Sequence, residues 1–385
     1  MIPIAKPCLD EREAEAVRRV ILSGWITQGP EVAAFEREFA GSVGAPYACA
    51  VSNCTTALHL ALLAAGVRPG DEVITVSHSY IATANSVRYC GGVPVFVDIC
   101  ADTYNINPDL VAAAISPKTK AILCVHQIGM PCDLARLVQF AESHALPLIE
   151  DAACAIGSEI LWQGQWERIG KPHGDVACFS FHPRKVLSTG DGGMITTKHK
   201  DWDAKFRLWR QHSMSVPDTV RHGSNKVIFE SYPEIGFNYR ITDVQAAIGR
   251  EQLKRLPELV SRRREMAARY CSLLAECANV SLPVEPEWAR SNWQSYCIRL
   301  ADASQQVPVM QALLDQGIAS RRGIMCAHRE PAYLKEVWRS AGPLTQSERA
   351  QEQCILLPLF HQLTGEEQRF VASRLCAVLA AGCGA

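Results

Sequence analysis

From about residue 45 the chain alternates short apolar runs with amphipathic stretches. The runs Ala48 to Ser52, Glu72 to Val76, Pro94 to Asp98, Ala121 to His126, Leu146 to Asp151, Val176 to Phe181 and Met194 to Thr197 lack strict polar alternation. Helical stretches such as Thr55 to Ala65, Ile81 to Tyr89, Pro108 to Ile115 and Asp133 to His144 separate most of them. Strands apolar on both faces and spaced by helices predict an α/β fold, a mainly parallel seven-stranded sheet flanked by helices. After Gly249 the pattern changes. A long amphipathic helix from about Thr242 to Glu276 precedes strand Gln294 to Leu300, helix Gln306 to Gln316 and a last helix from Gly365 to Ala381. A large α/β domain over residues 1–250, N-terminal arm included, and a smaller α+β domain over residues 251–385 are therefore expected.

Charge removes several function classes. The formal net charge of −1 across 385 residues gives no basic field for nucleic acid. The cluster Arg262-Arg263-Arg264 sits among Glu251, Glu258 and Glu265 and reads as a solvated helix face. The N-terminus lacks the pattern of a signal peptide, and no apolar run reaches the roughly 18 residues of a membrane span, so a cytoplasmic protein without a membrane partner is expected. The 16 cysteines are scattered through apolar segments without CxxC pairs or zinc spacing. That predicts reduced, buried thiols, no disulfide framework and no metal site.

The chemistry concentrates where apolar strands end. Asp151 closes the run Leu148-Ile149-Glu150-Asp151, and Lys185 follows the run ending at Phe181 and precedes the glycine-rich turn Gly190-Asp191-Gly192-Gly193. An acid and a lysine aimed at one rim of a parallel sheet are what pyridoxal 5′-phosphate (PLP) needs. The amine bonds the cofactor's aldehyde and then moves a proton, while the acid pairs with the pyridine nitrogen. Glu150 is the competing acid, but strand alternation sends it to the opposite side. Asn53 is a good N-cap for the helix that follows, so the amides of Cys54, Thr55 and Thr56, with the Thr55 hydroxyl, would face a phosphate. Ser180 can add a hydroxyl to that phosphate, and Tyr80 is placed to stack on the pyridine ring. All of these lie at C-terminal strand ends, where open α/β sheets bind ligands.

With these residues, the chain resembles the DegT/DnrJ/StrS family of sugar aminotransferases, PLP enzymes of fold type I. The resemblance extends over Gly24-Trp25-Ile26-Thr27-Gln28-Gly29-Pro30, Val125-His126-Gln127-Ile128-Gly129, Glu150-Asp151-Ala152-Ala153, the stretch from Ser180 to Gly193, and Gly236-Phe237-Asn238-Tyr239-Arg240. It implies Lys185 as the Schiff-base lysine, Asp151 at the pyridine nitrogen, Ser180 and the Cys54 and Thr55 amides at the phosphate, and Tyr80 on the ring. It further implies that Asn238 reaches the phosphate of a neighbouring subunit in a homodimer with shared active sites. Trp25 and His328 match segments that approach the substrate. Cys154 departs from the pattern, standing where glutamine or histidine usually contacts the cofactor's 3′ oxygen.

The expected reaction is transfer of an amino group from an amino acid, L-glutamate first, to a keto-deoxy nucleotide sugar. A PLP-type sugar dehydratase of the same fold and a non-enzymatic PLP-binding regulator are the alternatives. Members with dehydratase chemistry tend to carry histidine at the lysine position, so Lys185 counts against that reading. No GxGxxG follows the first strand, which disfavours a nicotinamide-dependent reductase.

Overall fold

The computed structural model describes residues 1–216 and 225–381. All seven predicted strands form, as β1 (Tyr47–Val51), β2 (Glu72–Val76), β3 (Val93–Val97), β4 (Thr119–Val125), β5 (Leu148–Asp151), β6 (Val176–Ser180) and β7 (Gly193–Thr197). Their spatial order is β1-β7-β6-β5-β4-β2-β3. The two-residue strand Arg339–Ser340 adds an eighth member beside β3, a departure from the seven expected. β7 runs antiparallel to both β1 and β6, while the other pairings are parallel. Every residue of β2, β6 and β7 is buried, as strands covered on both faces require.

Short-range capping sets the helix starts. Asn53 and Thr242 each accept the backbone N–H three residues on, opening the helices Cys54–Ala64 and Asp243–Leu274. The helix Pro30–Val43 has no side-chain cap of its own at Gly29. Instead the buried Asp243 carboxylate receives the amides of Gly29 (2.7 Å), Glu31 (3.1 Å) and Val32 (3.0 Å). The first turn of one helix thus satisfies the orphan donors of another.

The C-terminal segment builds a second, four-stranded antiparallel sheet in the order Val280–Ser281, Tyr296–Leu300, Cys354–Leu357, Arg321–Arg322. It packs with the far half of the helix Asp243–Leu274 and with helices Gln306–Asp315 and Gly365–Ala380 around Tyr270, Tyr296, Ile298, Leu313 and Leu375. The expected strand from Gln294 begins two residues later, because Trp293 takes a left-handed conformation (φ 51°) and Gln294 is used elsewhere.

The cysteine expectation needs correction. Thirteen described cysteines are free thiols, but Cys277 is disulfide-bonded to Cys376, 99 residues away, with 5.4 Å between Cα atoms. The chain leaving the long helix runs beside the last helix, a proximity that spacing along the sequence does not reveal. Closing a loop of this length removes unfolded-state entropy worth up to about 4.7 kcal/mol in the chain-entropy picture. Dithiothreitol is accordingly expected to lower the thermal midpoint of the wild type. Cys376→Ser should start at the lower value and show no response to the reductant in the same melting experiment.

Candidate active site

The C-terminal ends of β1, β2, β4, β5 and β6 open on one cavity of about 420 Å³. Asn53, Cys54 and Thr55 follow β1, Ser79, Tyr80 and Thr83 follow β2, and His126 follows β4. Asp151 and Cys154 come from the end of β5, and Ser180, His182, Arg184 and Lys185 from the end of β6. The rest of the lining comes from Gln294, Ser295, Arg321, Gly323, Ile324, Leu356, Leu357 and Leu359, with Ile4 and Ala5 from the N-terminus.

Asp151 faces this cavity and Glu150 does not, as alternation along β5 predicts. Glu150 is fully buried and takes hydrogen bonds from His126 Nε2 (3.0 Å) and the Gly174 amide (3.2 Å). The Cys132 amide donates to His126 Nδ1 (3.0 Å), which leaves the imidazole proton on Nε2, where Glu150 accepts it. Asp151 is fixed through both oxygens, by the Thr83 hydroxyl (2.7 Å) and the Ala153 amide (3.1 Å), and Ser79 pairs in turn with Thr83 (2.8 Å). Burial pushes the Asp151 carboxyl above the usual carboxylate range, although Thr83, the Ala153 amide, Lys185 and His126 pull the other way. Such an acid can share a proton with a ring nitrogen.

At the end of β1 the amides of Cys54 and Thr55 start a helix and have no preceding turn to receive them. Thr56 leaves the predicted anion-facing set, because its amide donates to Asn53 Oδ1 (2.9 Å) and its hydroxyl to the Asn53 carbonyl (2.7 Å). Gly193 holds the arrangement together. A Cβ there would lie 2.5 Å from the Asn53 carbonyl carbon and 2.8 Å from the Cys54 nitrogen, so only glycine lets β7 approach the helix start.

Lys185 belongs to the loop that joins β6 to β7. The Phe181 amide bonds the Gly192 carbonyl (2.8 Å) and the Thr189 amide the Phe181 carbonyl (3.0 Å), closing the loop at its base. Gln294 grips the loop on either side of the lysine, donating from Nε2 to the Arg184 carbonyl (2.6 Å) and accepting the Val186 amide at Oε1 (2.9 Å). Asn292 supports Gln294 by accepting its amide (2.8 Å) and holds the Cys154 and Ile156 carbonyls (2.8 Å each). Lys185 Nζ donates to Cys154 Sγ at 3.0 Å. Burial lowers the ammonium pKa, but Cys154, Cys54 and Asp151 outweigh it and hold the group above its ordinary value. Gln294, Asn292 and Thr83 escaped the sequence reading, since nothing near them in the chain marks them.

The remaining predicted residues divide. Tyr80 stands on the rim, 66% exposed, and Ser180 and Cys154 line the cavity. Asn238 does not line it. Its neighbours Phe237 and Tyr239 stack on each other (4.9 Å between centroids), Tyr239 bonds His59 (3.1 Å), and Asn238 between them is exposed. Trp25 also lies outside, its Nε1 donating to the Gln28 carbonyl (3.2 Å). His328 is a correction. Ser77 (2.6 Å) and Glu348 (3.1 Å) occupy its two ring nitrogens, and the segment reaches the cavity earlier, through Arg321, Gly323 and Ile324.

This donor set fits PLP. The Cys54 and Thr55 amides with Ser180 would hold its phosphate, Asp151 its ring nitrogen, and Lys185 its aldehyde carbon. Among the described residues no cluster suited to a metal ion is present.

The chain matches the DegT/DnrJ/EryC1/StrS aminotransferase family over residues 7–376. It is 34% identical to the spore coat polysaccharide biosynthesis protein SpsC of Bacillus subtilis (strain 168) over 370 residues, 95% of this chain and 94% of that protein. Among solved structures, the aminotransferase TlmJ from Streptoalloteichus hindustanus superposes with a TM-score of 0.90 at 34% identity, covering 99% of both chains. The proposed sugar aminotransferase Spr1654 from Streptococcus pneumoniae, in its PMP form, gives a TM-score of 0.92 at 28% identity over 99% of this chain and 100% of its own.

Two outcomes follow from the geometry. Gln294→Ala should leave the cofactor's visible band in place and reduce kcat roughly tenfold to a hundredfold, as expected when a reacting group loses its orientation, in steady-state assays. Cys154→Ala removes a hydrogen-bonded neighbour that raises the Lys185 pKa, so the neutral amine becomes available at lower pH. Titrating PLP uptake against pH should place the variant's midpoint below that of the wild type.

Proposed function

The chain belongs to the DegT/DnrJ/EryC1/StrS aminotransferase family and is a PLP-dependent aminotransferase, and we propose that it moves an amino group from L-glutamate to a keto-deoxy nucleotide sugar. The observation that carries this reading is the meeting of Lys185, Asp151 and the Cys54 and Thr55 amides in one cavity. PLP supplies an aldehyde that takes up amines and a ring that draws off the electron pair left by a departing proton.

The residues divide the work. Lys185, whose backbone neighbours Gln294 holds on both sides, would carry the proton on Nζ between substrate carbon and cofactor. Asp151, oriented by Thr83 and the Ala153 amide, would keep a proton at the ring nitrogen. Tyr80, at the mouth of the cavity, would cover one ring face. The family's sugar enzymes and the polysaccharide role in the name of SpsC support an acceptor that becomes an amino sugar of a surface polysaccharide or natural product.

A homodimer with shared sites is part of the proposal. Asn238 is exposed beside anchored neighbours and has no place in its own cavity, so it is free to complete the phosphate site of a second copy. Val227, Phe229 and Ile235 nearby are each at least 85% exposed, the kind of surface that a partner covers.

Purified protein loaded with PLP should show a visible absorbance band that bleaches on adding L-glutamate. Lys185→Ala should lose that response, with turnover reduced by roughly 10²–10⁴-fold. Wild-type turnover in Lys185→Ala, or a wild-type band indifferent to amino donors, would overturn the assignment.

A further inference from the structure

Among the described residues, the side chains of two arginines that line the cavity have no partner. Arg184 precedes Lys185, and its backbone alone is engaged, the amide to His182 Nδ1 (3.2 Å) and the carbonyl to Gln294. Arg321 lines the same cavity from the strand Arg321–Arg322, paired through its backbone with Leu356. Both are exposed, and among the described residues neither side chain meets a carboxylate or a carbonyl. The adjacent Arg322 shows the ordinary alternative, bonded to Glu330 at 3.0 Å and absent from the cavity wall. The acids that share the cavity are committed elsewhere. Asp151 is held by Thr83 and the Ala153 amide, and Asp191 takes the Gly192 amide at 2.9 Å.

We infer that Arg184 and Arg321 bind the two carboxylates of a dicarboxylic amino donor. The inference rests on the aminotransferase reading above and names the residues that select its donor. An amino donor must bring its nitrogen to the aldehyde carbon that Lys185 Nζ would hold and then release. Positive charge then comes to the cavity from two separate elements, the lysine loop and the end strand Arg321–Arg322 of the second sheet. A molecule with two separated carboxylates satisfies both guanidiniums at once, each in the forked geometry that favours arginine over lysine. A monocarboxylic amino acid leaves one cation without a counter-charge. Ile324, Leu356, Leu357 and Leu359, which line the same cavity, bring apolar side chains. Exposure to water lets both arginines rehydrate when the keto acid leaves, as the second substrate's use of the cavity requires.

The test uses the PLP-loaded enzyme and glutarate, which carries both carboxylates and no amine. Isothermal titration calorimetry should show glutarate binding the wild type more tightly than butyrate does. Arg184→Gln and Arg321→Gln should each weaken glutarate at least tenfold, with the visible band and melting midpoint showing that each variant is folded and loaded. Glutarate affinity within twofold of wild type in both variants overturns the inference. So does a loss of affinity for uridine diphosphate with glutarate unaffected, which assigns the pair to the acceptor's diphosphate. The wild-type response to L-glutamate separates the two levels. A band that bleaches while glutarate binding ignores both arginines sinks only this inference, whereas a band that no amino donor bleaches sinks the aminotransferase reading.

Discussion

The lysine of this cavity is aimed by a side chain more than a hundred residues away. Gln294 uses one end of its amide to hold the carbonyl before Lys185 and the other to hold the amide after it. A primary amide suits this task because it donates and accepts from adjacent atoms in one plane. The Asn292–Gln294 turn is itself secured, with Arg263 Nη1 donating to the carbonyls of Trp293 (3.1 Å), Gln294 (3.2 Å) and Leu359 (3.3 Å). Because Asn292 also holds the Cys154 and Ile156 carbonyls, one turn fixes both the lysine loop and the loop after β5. The distance between Lys185 and Asp151 is therefore set by the C-terminal part of the chain as well as by the sheet.

The sheet supplies the other half of that geometry. Parallel strands end on one rim, so five connections converge without any long loop having to reach inward. The antiparallel β7 brings the lysine loop back to the place it left, and its first residue, Gly193, touches the helix start that would receive a phosphate. Polar groups beneath the cavity are satisfied in chains, Ser79 to Thr83 to Asp151 and the Cys132 amide to His126 to Glu150, which restricts each acid to one orientation.

What could be read from the sequence was what depends on near neighbours. The strands are apolar runs, and the Asn53 cap has its partner three residues away. Asp151 and Lys185 announce themselves as charged residues at the ends of buried strands. Thr83, Asn292 and Gln294 act across 68 to 138 residues, and their type alone is equally suited to a surface turn. Thr56 and His328 were misread for the complementary reason. Each is a good donor or ligand in isolation, and each is already consumed by a partner that only the fold brings near. The Cys277–Cys376 bond belongs with them, since two helices had to be packed before the thiols could meet.

The closed base of the lysine loop has an evolutionary consequence. Its two stems are hydrogen-bonded strands whose register is fixed, and Gln294 grips it midway, so a residue inserted between Phe181 and Gly192 would shift Lys185 out of its grip. Among descendants of this sequence, diversity in this loop should therefore be confined to side-chain replacement at constant length.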